Sequence, residues 1–215
     1  MIHWGMDRNA DYLQKYCELK GVKTLSDLKI PHIYKDYHET EVFQDFRDKF
    51  VDKGGYVKSG INWFFGGKYT APHDAAQLIG NGGGFFKDVF GSEPNMVENR
   101  GIDNIQTFTR LLKEAITEKK AIGFSILALG SAHAMTIWGA KFDEYGEVCA
   151  IYYVDNNLSI LGQSFVGILE SPVGVNNGRV CMMNATGEIK LPIQDVDLLS
   201  LKRDVWEEFF RKQTK

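Results

Sequence analysis

Cysteine is scarce in this sequence: Cys17, Cys149 and Cys181 are the only three among 215 residues. So small and odd a number, with no C-x-x-C pair, excludes a disulfide framework and leaves room for one bridge and a free thiol. An excess of one charge is missing as well. Twenty-five basic against 28 acidic side chains give a net charge of −3, without the electrostatic footprint of a nucleic-acid or anionic-membrane binder. No apolar run approaches the roughly 20 residues of a membrane span, and Met1-Ile2-His3-Trp4 does not open a basic and then apolar signal peptide. Internal repeats, low-complexity tracts and linkers are absent. His3, His32, His38, His73 and His133 show no H-x-x-x-H or H-E-x-x-H spacing, and no cysteine completes a zinc set, so neither a metal nor another cofactor is expected.

What is present is glycine and aromatic character. Twenty-two glycines and 13% aromatics, in a chain that is 44% hydrophobic and 25% charged, describe a globular protein with many turns between short strands. Ile2, Met6, Tyr12, Leu13, Tyr16 and Cys17 recur at helical spacing and predict a helix from Met1 to about Leu19. No capping residue precedes that pattern, so the chain is expected to start inside the helix, with its first turns missing. Further helices are expected over Glu41–Lys53, stopped by Gly54-Gly55, over Asn62–Phe65, and from Asp103 as N-cap to Lys119-Lys120. Gly80-Asn81-Gly82-Gly83-Gly84 has Phe85 in place of the third glycine of G-x-G-x-x-G and no Gly-Lys-Ser/Thr after it. It reads as a flexible loop that brings Phe85 and Phe86 to a groove rather than as a phosphate cradle. Trp4, Trp63, Trp138 and Trp206 have no basic stripe between them and read as core or groove residues.

After Ala121 the texture becomes β-rich. Strands are expected at Ala121–Leu127, Ala132–Phe142, Val148–Asp155, Phe165–Leu169, Arg179–Met183 and Leu198–Leu201, with turns at Asp143–Gly146 and Asn176-Asn177-Gly178. The fold class is α+β: one domain over 1–215, with a helical part over about 1–120 followed by an antiparallel sheet over about 121–215.

His133 heads one expected strand and Asp155 closes the next. A hairpin about Asp143–Gly146 sets residues near 134 opposite 155 and makes the two neighbours. A carboxylate there would orient the imidazole and stabilise its charged form, as in thiol and serine nucleophile systems. Spacing alone leaves open the alternative of a surface hydrogen bond between two polar strand ends. No thiol fits as a partner. Cys149 lies six residues from Asp155 on the same strand, about 20 Å at about 3.3 Å per residue. Cys17 continues the apolar stripe of the first helix, and Cys181 sits in the apolar run Val180–Met183, so both read as buried structural thiols.

The run from His133 to Asp143, then Gly146, then Ala150 to Asp155 resembles the His and Asp segments of the IdeS/Mac family of secreted bacterial, papain-like cysteine endopeptidases that cut immunoglobulin G. The spacing of 22 residues from His133 to Asp155 agrees with that family. Met1–Trp4 with Asp11–Leu13 is similar to the later part of its central helix, Gly83–Phe90 to its Gly-Gly-Ile-Phe segment, and Phe165–Gly167 to the strand after the active-site loop. The resemblance implies a papain-like fold with His133 as general base and later acid, Asp155 as its orienter and Asn157 in a supporting place where the family carries a second acid. It implies a protein substrate, immunoglobulin (immunoglobulin G in the family) or another host protein, and a secreted or cell-surface location. The family's nucleophilic cysteine and oxyanion residue would stand before Met1, about two helical turns away for the cysteine. The sequence as given is therefore expected to be inactive. Two functions follow from this: part of a secreted cysteine endopeptidase, or a pseudoprotease that binds a host protein without cutting it.

Overall fold

The computed structural model describes residues 1–31, 40–51, 57–67, 79–80, 82–92, 94–128, 131–155, 159–160, 163–164 and 167–214. In chain order these hold helices α1 (Ile2–Asp7) and α2 (Ala10–Leu19), a 3-10 turn (Leu25–Leu28), α3 (Glu41–Lys49), the short strand β1 (Phe50–Val51), α4 (Val57–Gly66), β2 (Ile79–Gly80) and α5 (Lys87–Phe90). Strand β3 (Val97–Gly101) and helix α6 (Ile105–Thr117) come next. The strands β4 (Ala121–Ala128), β5 (Ser131–Phe142), β6 (Val148–Val154), β7 (Ser159–Ile160), β8 (Gln163–Ser164), β9 (Leu169–Asn176), β10 (Arg179–Met183) and β11 (Lys190–Leu199) follow, and α7 (Arg203–Gln213) ends the series. The class is α+β. Two compact units result: Met1 with Glu98–Leu199, and Ile2–Val97 with Ser200–Lys215.

In the strand unit the sheet closes on itself. The order β10-β9-β6-β5-β4-β11 is completed by a pairing of β10 with β11, and β3 lies on the other part of β11. The six barrel strands are antiparallel to their neighbours, and closure leaves the barrel without the exposed edges of an open sheet. Its interior is filled by Ile122, Phe124, Ile126, Met135, Ile137, Ile151, Val180, Val196 and Leu198, against which α6 packs Phe108, Leu111, Leu112 and Ala115. Asn104, not the expected Asp103, caps α6: its Oδ1 accepts from Thr107 N at 2.8 Å. The turn at Asn177-Gly178 is where the sequence puts it, with φ of 50° and 74° at its two residues, the left-handed pair of a type I′ two-residue hairpin.

Two strands are placed differently from expectation. β9 begins at Leu169 instead of ending there, while Phe165 and Val166 lie outside the described residues. β11 is ten residues long because Asp195 and Asp197 alternate with the buried Val196 and Leu198, a half-buried pattern that a search for β-branched runs passes over.

The helical unit has an aromatic centre. Trp206 on α7 lies 5.6 Å from the ring of Tyr16, 5.7 Å from Phe86 and 5.2 Å from Phe90, each edge-on, and stacks on Phe210 at 5.8 Å. No element is expected beyond Leu201 from the strand patterns, yet Trp206, Phe209 and Phe210 carry helical spacing. The first helix is in fact two, because Asn9 turns its side chain back to donate to Gly5 O at 2.8 Å, a local bond that competes with the helix. The glycine loop is not a free groove lip. Gly84 N donates to Trp63 O and Phe64 O, Phe85 N to Phe64 O and Phe86 N to Phe65 O, so the loop closes the end of α4 and buries Phe86 completely. Any Cβ on Gly83 would collide with the Trp63 carbonyl and indole. Glu41–Lys53 is helical only to Lys49, and the helix expected at Asn62–Phe65 begins five residues earlier.

Trp206→Ala should lower stability by about 3–5 kcal/mol, read by denaturant unfolding, with loss of near-ultraviolet ellipticity from the aromatic cluster. Gly83→Ala should destabilise too, since the group it strikes includes main chain, and the same titration checks it.

Candidate active site

The β5–β6 hairpin turns as the sequence indicates. Asp143 Oδ1 accepts from Tyr145 N at 3.0 Å and Glu147 N at 2.8 Å, and Gly146 takes φ 76°. Beyond the turn the register is not uniform. Phe142 pairs with Val148 and Lys141 with Ala150, which leaves Cys149 as an extra residue on β6; Gly139 pairs with Tyr152 and Ile137 with Tyr153, which leaves Trp138 as an extra residue on β5. The two bulges, one on each strand, cancel. Thr136 faces Val154, so one step further Met135 is set against Asp155.

The expectation of residues near 134 opposite 155 holds to within one residue, and which residue it is decides the site. Side chains alternate along a strand, so a slip of one residue moves every side chain to the other face. With 134 against 155, His133 and Asp155 would project to opposite sides. In the observed register His133, Met135 and Ile137 on β5 share a face with Tyr153 on β6, and Asp155, the residue after β6, reaches His133 from there. His133 Nε2 lies 2.9 Å from Asp155 Oδ1, with side-chain exposures of 27% and 16%. The pair thus stands at the end of the row that lines the barrel, on a floor that includes the buried Met135 and, across β4, Ile126, which pairs with His133.

An ionised carboxylate only accepts hydrogen bonds, so the bond to Oδ1 places the proton of a neutral imidazole on Nε2. Nδ1, which has no hydrogen-bond partner among the described residues, is left with its lone pair. The carboxylate holds one tautomer and leaves the opposite nitrogen to take a proton. Its charge is felt nearby: burial first, and then Asp155, push the Tyr153 phenol above its ordinary range.

The other candidates are dispersed. Cys149 occupies its bulge, exposed, with Sγ 3.5 Å from Lys141 O. Cys181 is fully buried in β10, and burial raises its thiol. Cys17 is buried on α2 and is raised by burial and then by Asp27, the opposite of what a reactive thiolate needs. His3 lies on α1, whereas His32, His38, His73 and Asn157 lie outside the described residues. Among the described residues no group of three His, Cys, Asp or Glu side chains could hold a metal ion, and no helix is long and apolar enough to cross a membrane. Tyr153 and Met135 were not singled out from the sequence; their signal is the two-residue period that relates them to Asp155 and His133.

The sequence model of a known family, described as Mac 1, matches residues 1–187. The chain belongs to the Mac-1 family. A protein named IgM protease from Streptococcus suis (strain P1/7) is 25% identical to this Mac-1 chain over 237 residues, which cover all of the chain and 20% of that relative. The chain therefore spans about a fifth of the length of the curated relative it matches.

The tautomer gives a direct check on this Mac-1 site. Imidazole 15N spectra of the neutral ring should show the proton on Nε2 in the parent protein. In Asp155→Asn the amide can turn an N–H toward the ring, and the proton should move to Nδ1. A ring with both tautomers equally populated in the parent would mean that the carboxylate does not orient it.

Proposed function

We propose that this chain contributes the base and its orienter to an IdeS-like cysteine endopeptidase, and that residues 1–215 act as part of one papain-like domain on an immunoglobulin. The observation that carries the reading is the 2.9 Å bond from His133 Nε2 to Asp155 Oδ1, with no partner at Nδ1 among the described residues, in a member of the Mac-1 family. In the proposed reaction His133 Nδ1 takes the proton of a cysteine thiol and the resulting thiolate attacks the peptide carbonyl. The protonated ring then gives that proton to the departing amine as the acyl-enzyme forms, and water, deprotonated by the same nitrogen, releases the acyl group. Asp155 keeps the ring in the tautomer for each transfer, and Asn157 is assigned a supporting role beside it. The nucleophile and the oxyanion donor would come from a segment outside this sequence. The relative's name favours immunoglobulin M ahead of the immunoglobulin G that the resemblance implies. A substrate of either class belongs outside the cell, which supports a secreted or surface location.

A second reading is a binding module that holds a host protein without cutting it. The two separate in one experiment. Residues 1–215 alone should leave immunoglobulins M and G intact. Joined to an upstream segment that bears a cysteine, they should cut immunoglobulin in a thiol-dependent way. His133→Ala should then abolish turnover and Asp155→Asn should lower it by roughly 10³–10⁴-fold, as read by gel densitometry. An extended protein whose new cysteine alkylates readily, but which only co-sediments with intact immunoglobulin, would sink the peptidase reading and support the binder.

A further inference from the structure

We propose that Tyr153 is a positioning residue for the His133–Asp155 pair, its ring closing the barrel side of their hydrogen bond to water. The inference rests on the reading of the pair as a base and its orienter. Tyr153, on β6, is two residues before Asp155, which directly follows that strand; it stands opposite Ile137 on β5 and Leu169 on β9. Its ring is set edge-on to Phe124 of β4, with centroids 6.2 Å apart, and packs against the barrel core. The ring is therefore held by Phe124 of β4 and by the barrel core, and the charge of Asp155 acts on its phenol.

Around Tyr153 that face is apolar, the buried Ser171 of β9 lying further along it opposite Ile151. β4 supplies Phe124 and Ile126, β5 supplies Met135 and Ile137, and β9 supplies Leu169; among the described residues on this face, the ionisable groups are Tyr153, Asp155 and His133. The phenol has no hydrogen-bond partner among the described residues, so the ring, not a bond from its hydroxyl, is what Tyr153 brings. Burial and the neighbouring carboxylate both hold the phenol neutral, which spares the face a second negative charge beside Asp155. A hydrogen bond to an ionised group is stronger where water is excluded, and a fixed ring is a way to exclude it.

The test reads the Nε2 proton of His133 by NMR in residues 1–215, as its rate of exchange with solvent, and needs no catalysis. In the parent protein and in Tyr153→Phe, which keeps the ring, exchange should be equally slow. In Tyr153→Val, which keeps a strand-forming side chain and removes the ring, it should be faster by about tenfold or more, while backbone amides of β5 and β6 keep their protection. Equal rates in the parent and in Tyr153→Val would overturn the proposal, and so would acceleration in Tyr153→Phe. Should Tyr153→Val fail to fold, Phe124→Leu withdraws the ring on which Tyr153 leans; faster exchange there supports the proposal and an unchanged rate overturns it. Failure of the peptidase reading would look different: slow exchange in the parent protein, faster in Tyr153→Val, with no immunoglobulin cleaved by the extended protein.

Discussion

Two side chains on neighbouring strands can act together only if the register sets them on one face, and the whole site depends on that condition for β5 and β6. The hairpin turn starts the ladder with Phe142 against Val148, the bulge at Cys149 shifts it by one residue, and the bulge at Trp138 shifts it back. Between the bulges, Ala140 faces Ile151 and both meet the core. Beyond them, Ile137 and Tyr153 face each other inward, so His133 and Asp155 arrive at the same face. Bulges increase local twist and re-aim side chains. Here their cancellation lets the strands bend around a closed barrel while preserving the parity on which the imidazole and carboxylate rely.

The closed barrel gives that parity its rigidity. Because β5 is held by β4 on one side and β6 on the other, and β6 by β9, neither strand can slip alone without exposing Ile137, Ile151 and their neighbours to water. Burying an aliphatic side chain of this kind is worth about 1.5–3 kcal/mol, so a register in which several turn outward is strongly disfavoured. The 2.9 Å contact is thus held by hydrophobic packing, not by the modest strength of one partly exposed hydrogen bond.

The thiols of the strand unit show the contrast between a residue type and an environment. Cys181 has its ionisation opposed by burial, and Cys149 is displaced outward by its bulge. A thiolate needs a positive neighbour or a helix N-terminus, and at Cys181 the charges of Lys190 and Arg179 do not offset burial. The helical unit, for its part, is organised by Trp206 and the rings around it, with the glycine loop acting as the end of α4.

The sequence by itself determined the fold class, four of the six barrel strands, the Asn177-Gly178 turn, and the two residues, His133 and Asp155, that meet at 2.9 Å. These are local matters: alternation, turn chemistry and spacing are written in neighbouring residues. Tertiary structure alone decided the rest. The break at Asn9 and the capture of Phe86 each depend on a partner distant in sequence or on a side-chain bond that composition does not announce. Barrel closure is a pairing of β10 with β11 that no single segment encodes. The register at the site is the sharpest case, because an extra residue on either strand of a hairpin looks the same in sequence as none. Only the packing of Ile137, Ala140, Ile151 and Tyr153 against one core chooses which residue is left out of the ladder, and with it the face on which the histidine and the aspartate stand.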